Sequence, residues 1–255
     1  MKQQRTGSES ALRTIDVLFA FEEYPVATIK QISEFTAIPL PTAHRYVAML
    51  KDIGLVSEAG NNAYRLTMRM AGLASAARNA NSTIDVAAPF LQRLSADLGE
   101  TVLLVQLISG KPVCTYRVEA SRRLRLSFEV GQRMPALRGA SSHLLLSGLS
   151  IEERRSYVEQ ILSEGEQEPT VEIEEFLDDV QRAGDLGWAT SSAEIDEGVW
   201  SAAALVKVSH EVIATISVPC PTVRIDAEKE ELVRDSVCKV AAEIATALGG
   251  GQSRP

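Results

Sequence analysis

Apolar residues recur at helical spacing in three short stretches of the first third of the chain, and each stretch has its own stop signal. Leu12, Ile15, Leu18 and Phe19 predict a first helix over residues 10–24, with these four on its buried side and Pro25 ending it. Thr28-Ile29-Lys30-Gln31 has the form of a capping box, in which Thr28 caps the helix start and Gln31 reaches back to it. Ile29, Ile32 and Phe35 then form the apolar stripe of a second, short helix. Ala37-Ile38-Pro39 breaks it, and Pro41 suits the first turn of a third helix, where its missing N–H costs nothing. That helix runs from Thr42 to Ile53 and stops at Gly54. Ala43, Val47 and Leu50 face inwards with Tyr46 and Ile53 flanking them, while Thr42, Arg45 and Met49 share the other side beside His44 and Ala48.

The period then changes. Leu55–Glu58 and Ala63–Thr67 have strand composition around Ala59-Gly60-Asn61-Asn62, whose Gly and Asn tolerate positive φ, so a hairpin is expected. Two helices joined by a tight turn, the second turning small polar and cationic groups outwards, is the geometry that enters a DNA major groove. The hairpin would be the wing, with its tip along the phosphate backbone or the minor groove. Arg45 can bond guanine bidentately or pair with phosphate; Thr42 and His44 can reach either, and Arg65 on the returning strand can meet phosphate. The alternative is a helical hairpin and a β-hairpin without a nucleic-acid role.

Beyond the hairpin, Met68–Asn79 is Ala-rich and helical in propensity and reads as a linker helix, with a domain boundary near residue 80. Residues 84–98 predict a helix interrupted or kinked near Pro89. Thr101–Ile108 and a second strand ending near Val118 flank Ser109-Gly110-Lys111. Leu124–Val130 alternates with period two and is the clearest half-buried strand in the pattern. Its start overlaps Arg122-Arg123-Leu124-Arg125, which the alternation makes a solvated strand face rather than a phosphate site. Ser150–Glu153 is a second capping box, Glu172–Ala183 another helix, and Val199–Val208 with Val212–Val218 a second hairpin. Asp226 caps a last helix carrying Val233, Val237, Val240, Ile244 and Leu248 at helical spacing, ended by Gly249. An antiparallel sheet with helices packed on it, an α+β architecture, accounts for this order.

Composition adds three constraints. The chain has 255 residues, of which 45% are hydrophobic, enough for one or two domains. It contains no apolar run of about 18 residues, and its polar N-terminus lacks a signal peptide's apolar segment, so a cytoplasmic protein with no membrane partner is expected. The net charge of −8 is unevenly spread. Residues 1–78 hold nine Lys and Arg against seven Asp and Glu, a balance of +2, and the remainder 17 against 27, a balance of −10. That asymmetry fits a DNA-binding head on an acidic body. Cys114, Cys220 and Cys238 have no CxxC spacing and no basic neighbour motif to activate a thiol, so they read as reduced, mostly buried thiols. No Gly-x-Ser-x-Gly, P-loop or His-Glu-x-x-His occurs, and no catalytic residue, metal ligand or cofactor is expected.

In the second part, Gly139-Ala140-Ser141-Ser142 reads as a loop opening a helix, whose N–H groups and serine hydroxyls could hold a carboxylate or simply cap the helix. Arg138 and His143 beside it would suit an anion. Trp188 and Trp200 could stack on an aromatic ligand or belong to the core.

The order of these pieces resembles the IclR-type transcriptional regulators over residues 9–248. The resemblance rests on Thr42-x-His44-Arg45, Gly54-Leu55-Val56 and Tyr64-Arg65-Leu66, then Gly131-x-Arg133-x-Pro135 and the run through Ala140 into Leu144-Leu145-Leu146. It continues with Gly187-Trp188-Ala189, Glu194, Gly198-Val199, Ala202-Ala203-Ala204 and Pro221-x-x-Arg224-Ile225. It implies a winged helix-turn-helix domain (10–67) joined to a GAF-like effector-binding and oligomerisation domain (81–248), which with the residue pattern leaves a disordered arm (1–9), a linker helix (68–80) and a flexible tail (249–255). It also implies homodimers or tetramers on palindromic double-stranded operators, controlled by a small acidic or aromatic effector, with either sign of regulation. Ser191, Ser201 and Ser217 would close the effector pocket opposite Gly139–Ser142. The chain departs from the family at Leu40-Pro41, where Lys-Ser is usual, at Ser142-His143, where Gly-Lys is usual, at Ser191, often acidic, and at Pro219, often Ser or Gly. Two other classes compete: an interaction module whose helix-turn-helix has lost DNA affinity, and a GAF-like cysteine redox enzyme.

Overall fold

The computed structural model describes residues 9–79, 82–120, 128–164 and 172–250. The chain forms two compact units, residues 1–80 and 81–255. In the first, α1 (Glu9–Glu23) precedes the short strand β1 (Ala27–Thr28), α2 (Ile29–Thr36) and α3 (Leu40–Asp52). The hairpin β2 (Val56–Gly60) and β3 (Ala63–Leu66) and the helix α4 (Arg69–Asn79) follow. The three strands are antiparallel in the order β1-β3-β2. The capping box forms as expected: the Thr28 N–H donates to Gln31 Oε1 (2.9 Å) and the Gln31 N–H to Thr28 Oγ1 (3.3 Å). α2 ends where Ala37 turns left-handed, φ 53°, and the hairpin closes through Asn61 (φ 51°) and Asn62 (φ 56°). Two successive positive φ values match the right-handed twist of the flanking strands.

Five apolar residues of this unit, Leu12, Ile15, Phe19, Phe35 and Ile53, lie elsewhere than their spacing predicts. Val17, Ala20 and Phe21 form the buried face of α1, whereas Leu12 and Ile15 are 44% and 48% exposed, and Phe19 also reaches solvent. The core of this unit reaches only the C-terminal half of α1, and there the inward positions fall at 17, 20 and 21. Phe35 is exposed because the eight-residue α2 contributes Ile29 and Ile32, and Ile38 beyond the left-handed turn takes the next core position. Ile53 lies past the end of α3 and is exposed.

The second unit opens with α5 (Ser82–Leu98), which continues through Pro89, followed by β4 (Val102–Ile108) and β5 (Lys111–Val118). Then come α6 (Ala140–Leu146), α7 (Ile151–Glu164), α8 (Ile173–Leu186), β6 (Trp188–Ser192), β7 (Val199–Val208), β8 (Glu211–Pro221) and α9 (Ala227–Gly250). The five strands form one antiparallel sheet, β5-β4-β8-β7-β6. α5 and α9 cover one face over a core containing Ile216, Val218, Val237 and Ile244. α6 lies on the other face, with α7 and α8 beyond it. The Ser150 and Asp226 caps are both made.

The strand expected over 124–130 falls mostly outside the described residues. Its described end is a turn instead, in which the Gln132 N–H donates to the Glu129 carbonyl (3.0 Å) and Gly131 takes φ 94°. β6, with no apolar alternation of its own, is an edge strand that the pattern did not predict.

A buried ion pair ties the segment before β4 to the turn after its neighbour β8. Arg224, in the turn after β8, donates to both Glu100 oxygens (3.2 and 2.9 Å), and the Glu100 side chain is 2% exposed. Removing one partner of such a pair leaves an uncompensated buried charge. Arg224→Ala is expected to destabilise the second unit by about 3–5 kcal/mol. Urea unfolding followed by tryptophan fluorescence reads this directly, since Trp188 and Trp200 both lie in that unit.

Candidate nucleic-acid interface and ligand cavity

α3 is seated by Ala43, Tyr46, Val47 and Leu50, all buried in the core of the first unit. Helical geometry then sends His44, Arg45, Ala48 and Met49 to the exposed side, with Thr42 half-buried at its edge. The Arg45 guanidinium lies over the Tyr46 ring at 5.3 Å. The start of α3 has few open backbone donors: Pro41 has no N–H, and those of Thr42 and Ala43 donate to the Pro39 carbonyl (2.8 and 3.0 Å). The polar groups that α3 offers outwards are therefore mainly those of its side chains. Arg65 is exposed on β3, opposite Ser57 of β2. His44 lines a shallow surface depression of about 290 Å³ with Lys30, Asn62 and Tyr64. Lys30 and Asn62 were not among the predicted contacts. Lys30 carries no motif, and only the paired strands β1 and β3 bring the start of α2 beside the hairpin tip.

In the second unit, the loop before α6 and one face of the sheet enclose a small cavity. Arg138, Gly139, Ala140, Ser141 and Ser142 form one wall. Ser191 of β6, Ser201 of β7 and Ser217 of β8 form the other, so the structure brings eight of the nine predicted effector residues together. The ladder explains why: Ser191 pairs with Ser201, and Ser217 lies in register with Ala203 and Leu103. Ser191 Oγ and Ser201 Oγ are 2.8 Å apart. Leu103, Phe128, Met134, Ile195, Val199 and Pro219 make the rest of the lining apolar. Ser142 Oγ donates to the Pro135 carbonyl, whereas Ser141 Oγ is buried without a hydrogen-bond partner. The Gly139 N–H, expected to face an anion, donates to the carboxylate of Glu194 (2.8 Å).

His143 is the ninth residue, and it does not line the cavity. α6 carries its ring to the far side, edge-on to Phe176 of α8 with centroids 5.0 Å apart. Its Nε2 has no partner there, and burial holds the imidazole below its ordinary pKa against the pull of Glu194 and Asp179. The tryptophans do not stack on the cavity either. Trp200 is buried in the core beneath α5 and α9, on the opposite face of the sheet, because it neighbours Ser201 in a strand of period two. Trp188 packs against that same core, with the Arg234 guanidinium over its ring at 5.3 Å.

Burial pushes the Cys114 thiol up to about 11 and also raises that of the half-buried Cys238, and Cys220 is buried. Among the described residues, no group of three His, Cys, Asp or Glu could hold a metal ion, and no helix is long and apolar enough to cross a membrane.

A helix-turn-helix with a β-hairpin in one unit, and a serine-lined cavity on an antiparallel sheet in the other, define a regulator architecture. Comparison with known proteins assigns it. Residues 10–60 match the IclR helix-turn-helix domain, and residues 76–246 match the bacterial transcriptional regulator IclR C-terminal domain. The chain belongs to the IclR family of helix-turn-helix transcriptional regulators. It is 27% identical over 254 residues to the HTH-type transcriptional repressor AllR of Escherichia coli (strain K12), covering 95% of this chain and 91% of AllR. It is 23% identical over 246 residues to the HTH-type transcriptional regulator KipR of Bacillus subtilis (strain 168), covering 95% and 98%. The same fold occurs in an IclR homolog from Microbacterium hydrocarbonoxydans complexed with 4-hydroxybenzoate (TM-score 0.71, 22% identity, covering 93% of this chain and 99% of that one).

The state of His143 gives a pH test. A histidine whose pKa is lowered by folding binds a proton more readily when unfolded, so its contribution disappears above the unfolded value of about 6.5 and opposes folding below it. The second unit should therefore lose stability between pH 7.5 and 5.5, and His143→Leu should reduce that loss. Denaturation midpoints of both proteins at the two pH values measure the difference.

Proposed function

We propose that this protein reads a palindromic operator in double-stranded DNA as a homodimer, and that a small acidic or aromatic molecule in the serine-lined cavity changes its affinity for that operator. The observation that carries the reading is α3, whose underside is core and whose outer side offers Thr42, His44 and Arg45. Arg45 and His44 would meet base edges or phosphate in the major groove, and Arg65 would meet phosphate from the wing. α4 is the linker helix to a GAF-like effector domain. A second copy would cover Leu12 and Ile15, which lie exposed one turn apart on α1, and two heads would match the two halves of the operator. The protein acts in the cytoplasm and is not an enzyme; the comparisons support this through relatives named as regulators. The bound 4-hydroxybenzoate of the Microbacterium protein and the presence of Arg138 among the serines support an acidic, aromatic class of effector. Such a ligand shifts operator affinity by as much as its affinities for the two arrangements of the heads differ.

Fluorescence anisotropy on DNA from upstream of the protein's own gene tests the first half. Binding at about 10⁻⁸ M or tighter that survives random competitor is expected. Arg45→Ala should then remove about 1–3 kcal/mol of discrimination. Affinity near 10⁻⁵ M for any sequence would reduce the interaction to phosphate attraction. For the cavity, a panel of small carboxylic acids including 4-hydroxybenzoate is expected to yield members that raise the unfolding temperature. Ser201→Leu, which puts a bulky apolar side chain in the cavity wall, should abolish that rise; stabilisation that persists undiminished would place the ligand elsewhere.

A further inference from the structure

The cavity as it stands is too small for any organic effector. Its free volume is about 20 Å³, room for about one water molecule, whereas a cavity that takes up benzene measures about 150 Å³. A wall must therefore move. Most of the enclosure cannot move cheaply: Ser191, Ser201, Ser217 and Leu103 sit in hydrogen-bonded strands, and every residue of α6 is buried.

The connection between β6 and β7, residues 193–198, differs in kind. It begins at Ala193 (φ 57°) and ends at Gly198 (φ 79°), so left-handed residues stand at both of its ends. A residue with a Cβ is strained in that region, and such strain collects at switch segments. Within the loop, Ile195 projects into the cavity lining and presses on the opposite wall: a Cβ on Gly139 would lie 2.7 Å from Ile195 Cδ1. Next to it, Glu194 Oε2 accepts the Gly139 N–H at 2.8 Å. The neighbouring Ser141 belongs to the cavity lining, and its Oγ stays buried and unpartnered.

We infer that residues 193–198 are a gate over the cavity, latched shut by the Glu194 carboxylate on the Gly139 N–H and plugged by Ile195. The inference rests on the cavity being the effector site. Glu194 is then an internal competitor. Any ligand larger than a water must break this charge-assisted hydrogen bond and withdraw Ile195 before it enters. A ligand carboxylate can take over the N–H that Glu194 releases and offer Ser141 an acceptor. Because the latched form does not bind, the affinity observed for a ligand is its intrinsic affinity reduced by the fraction of molecules that are open. Weakening the latch accelerates entry and tightens binding together.

Access to the cavity can be timed without any ligand. Ser201→Cys places a thiol in the cavity wall, and its alkylation by iodoacetamide, followed peptide by peptide in the full-length protein, reports opening. With Glu194→Ala added, Cys labelling at position 201 is expected to rise about tenfold, the effect of roughly 1.4 kcal/mol on the closed state. Glu194→Gln, which keeps an uncharged acceptor, should fall between that variant and the parent. Ile195→Ala should also accelerate labelling while the Glu194 bond remains. Cys114 and Cys220, buried outside the cavity lining, serve as internal controls. Equal rates in the parent and the Glu194 variants overturn the gate, as does acceleration shared equally by Cys114 and Cys220, which reports loosening of the whole unit. The labelling does not involve an effector, so its outcome is separate from that of the thermal-shift test of the effector reading.

Discussion

A slip of one residue in the β7–β8 ladder would turn the second unit inside out. Its sheet is buried on both faces, and period-two alternation assigns Trp200, Ala202, Ile216 and Val218 to the α5–α9 core and Ser201, Ser217 and Pro219 to the cavity. Sliding the register by one would send serines into the apolar core and a tryptophan into the cavity. The tight turn at Ser209 (φ 50°) and His210 (φ 76°) helps to fix this register, and the matching turn at Ser109 and Gly110 does so for β4 and β5. Cavity chemistry is thus inseparable from how the strands pair. Serine hydroxyls are tolerated there because their cost is partly met, by Ser191 against Ser201 and by Ser142 on the Pro135 carbonyl. Ser141 Oγ is left unpartnered.

The first unit solves a different problem. α3 has to show a polar, cationic face while being held firmly enough to present it in one orientation. Ala43, Tyr46, Val47 and Leu50 hold it from below, and the hydrogen-bonded cap of α2 fixes the preceding helix. The Thr67 hydroxyl bonds the Gly54 carbonyl (2.6 Å), tying the returning strand to the end of α3. With Pro39 and Pro41 at its start, α3 gives up a side-chain cap and one N–H. The stiffness of the prolines stands in for the missing cap, and what α3 shows outwards is the side chains of His44 and Arg45.

Local signals account for what was readable in advance. Caps at Thr28, Ser150 and Asp226, the inward stripe of α3 and the positive-φ turns each depend on residues within a few positions of one another, and each forms as expected. The cavity walls were readable for another reason: the resemblance to a family supplied Ser191, Ser201 and Ser217, which no local pattern connects to Ser141. Readings failed where a helix had more than one plausible inward face. In α1, Leu12, Ile15 and Phe19 are as apolar as Val17, Ala20 and Phe21, and only the placement of α2 and α3 decides between them. His143 failed similarly, since a helix as short as α6 is buried all round and either face could have met the cavity.

The sequence by itself determined the element order, the helix-turn-helix with its hairpin, the α+β character of the second unit and the family, because periodicity, capping and turn chemistry are properties of neighbouring residues. Tertiary structure decided which side of each element is inside, that Glu194 rather than a free N–H stands at Gly139, that Ile195 fills the space expected for a ligand, and that Lys30 and Asn62 join His44. Those contacts link residues far apart in the chain, as Gly139 and Glu194, 55 positions apart, show. They arise from strand register and packing, which depend on the whole chain at once.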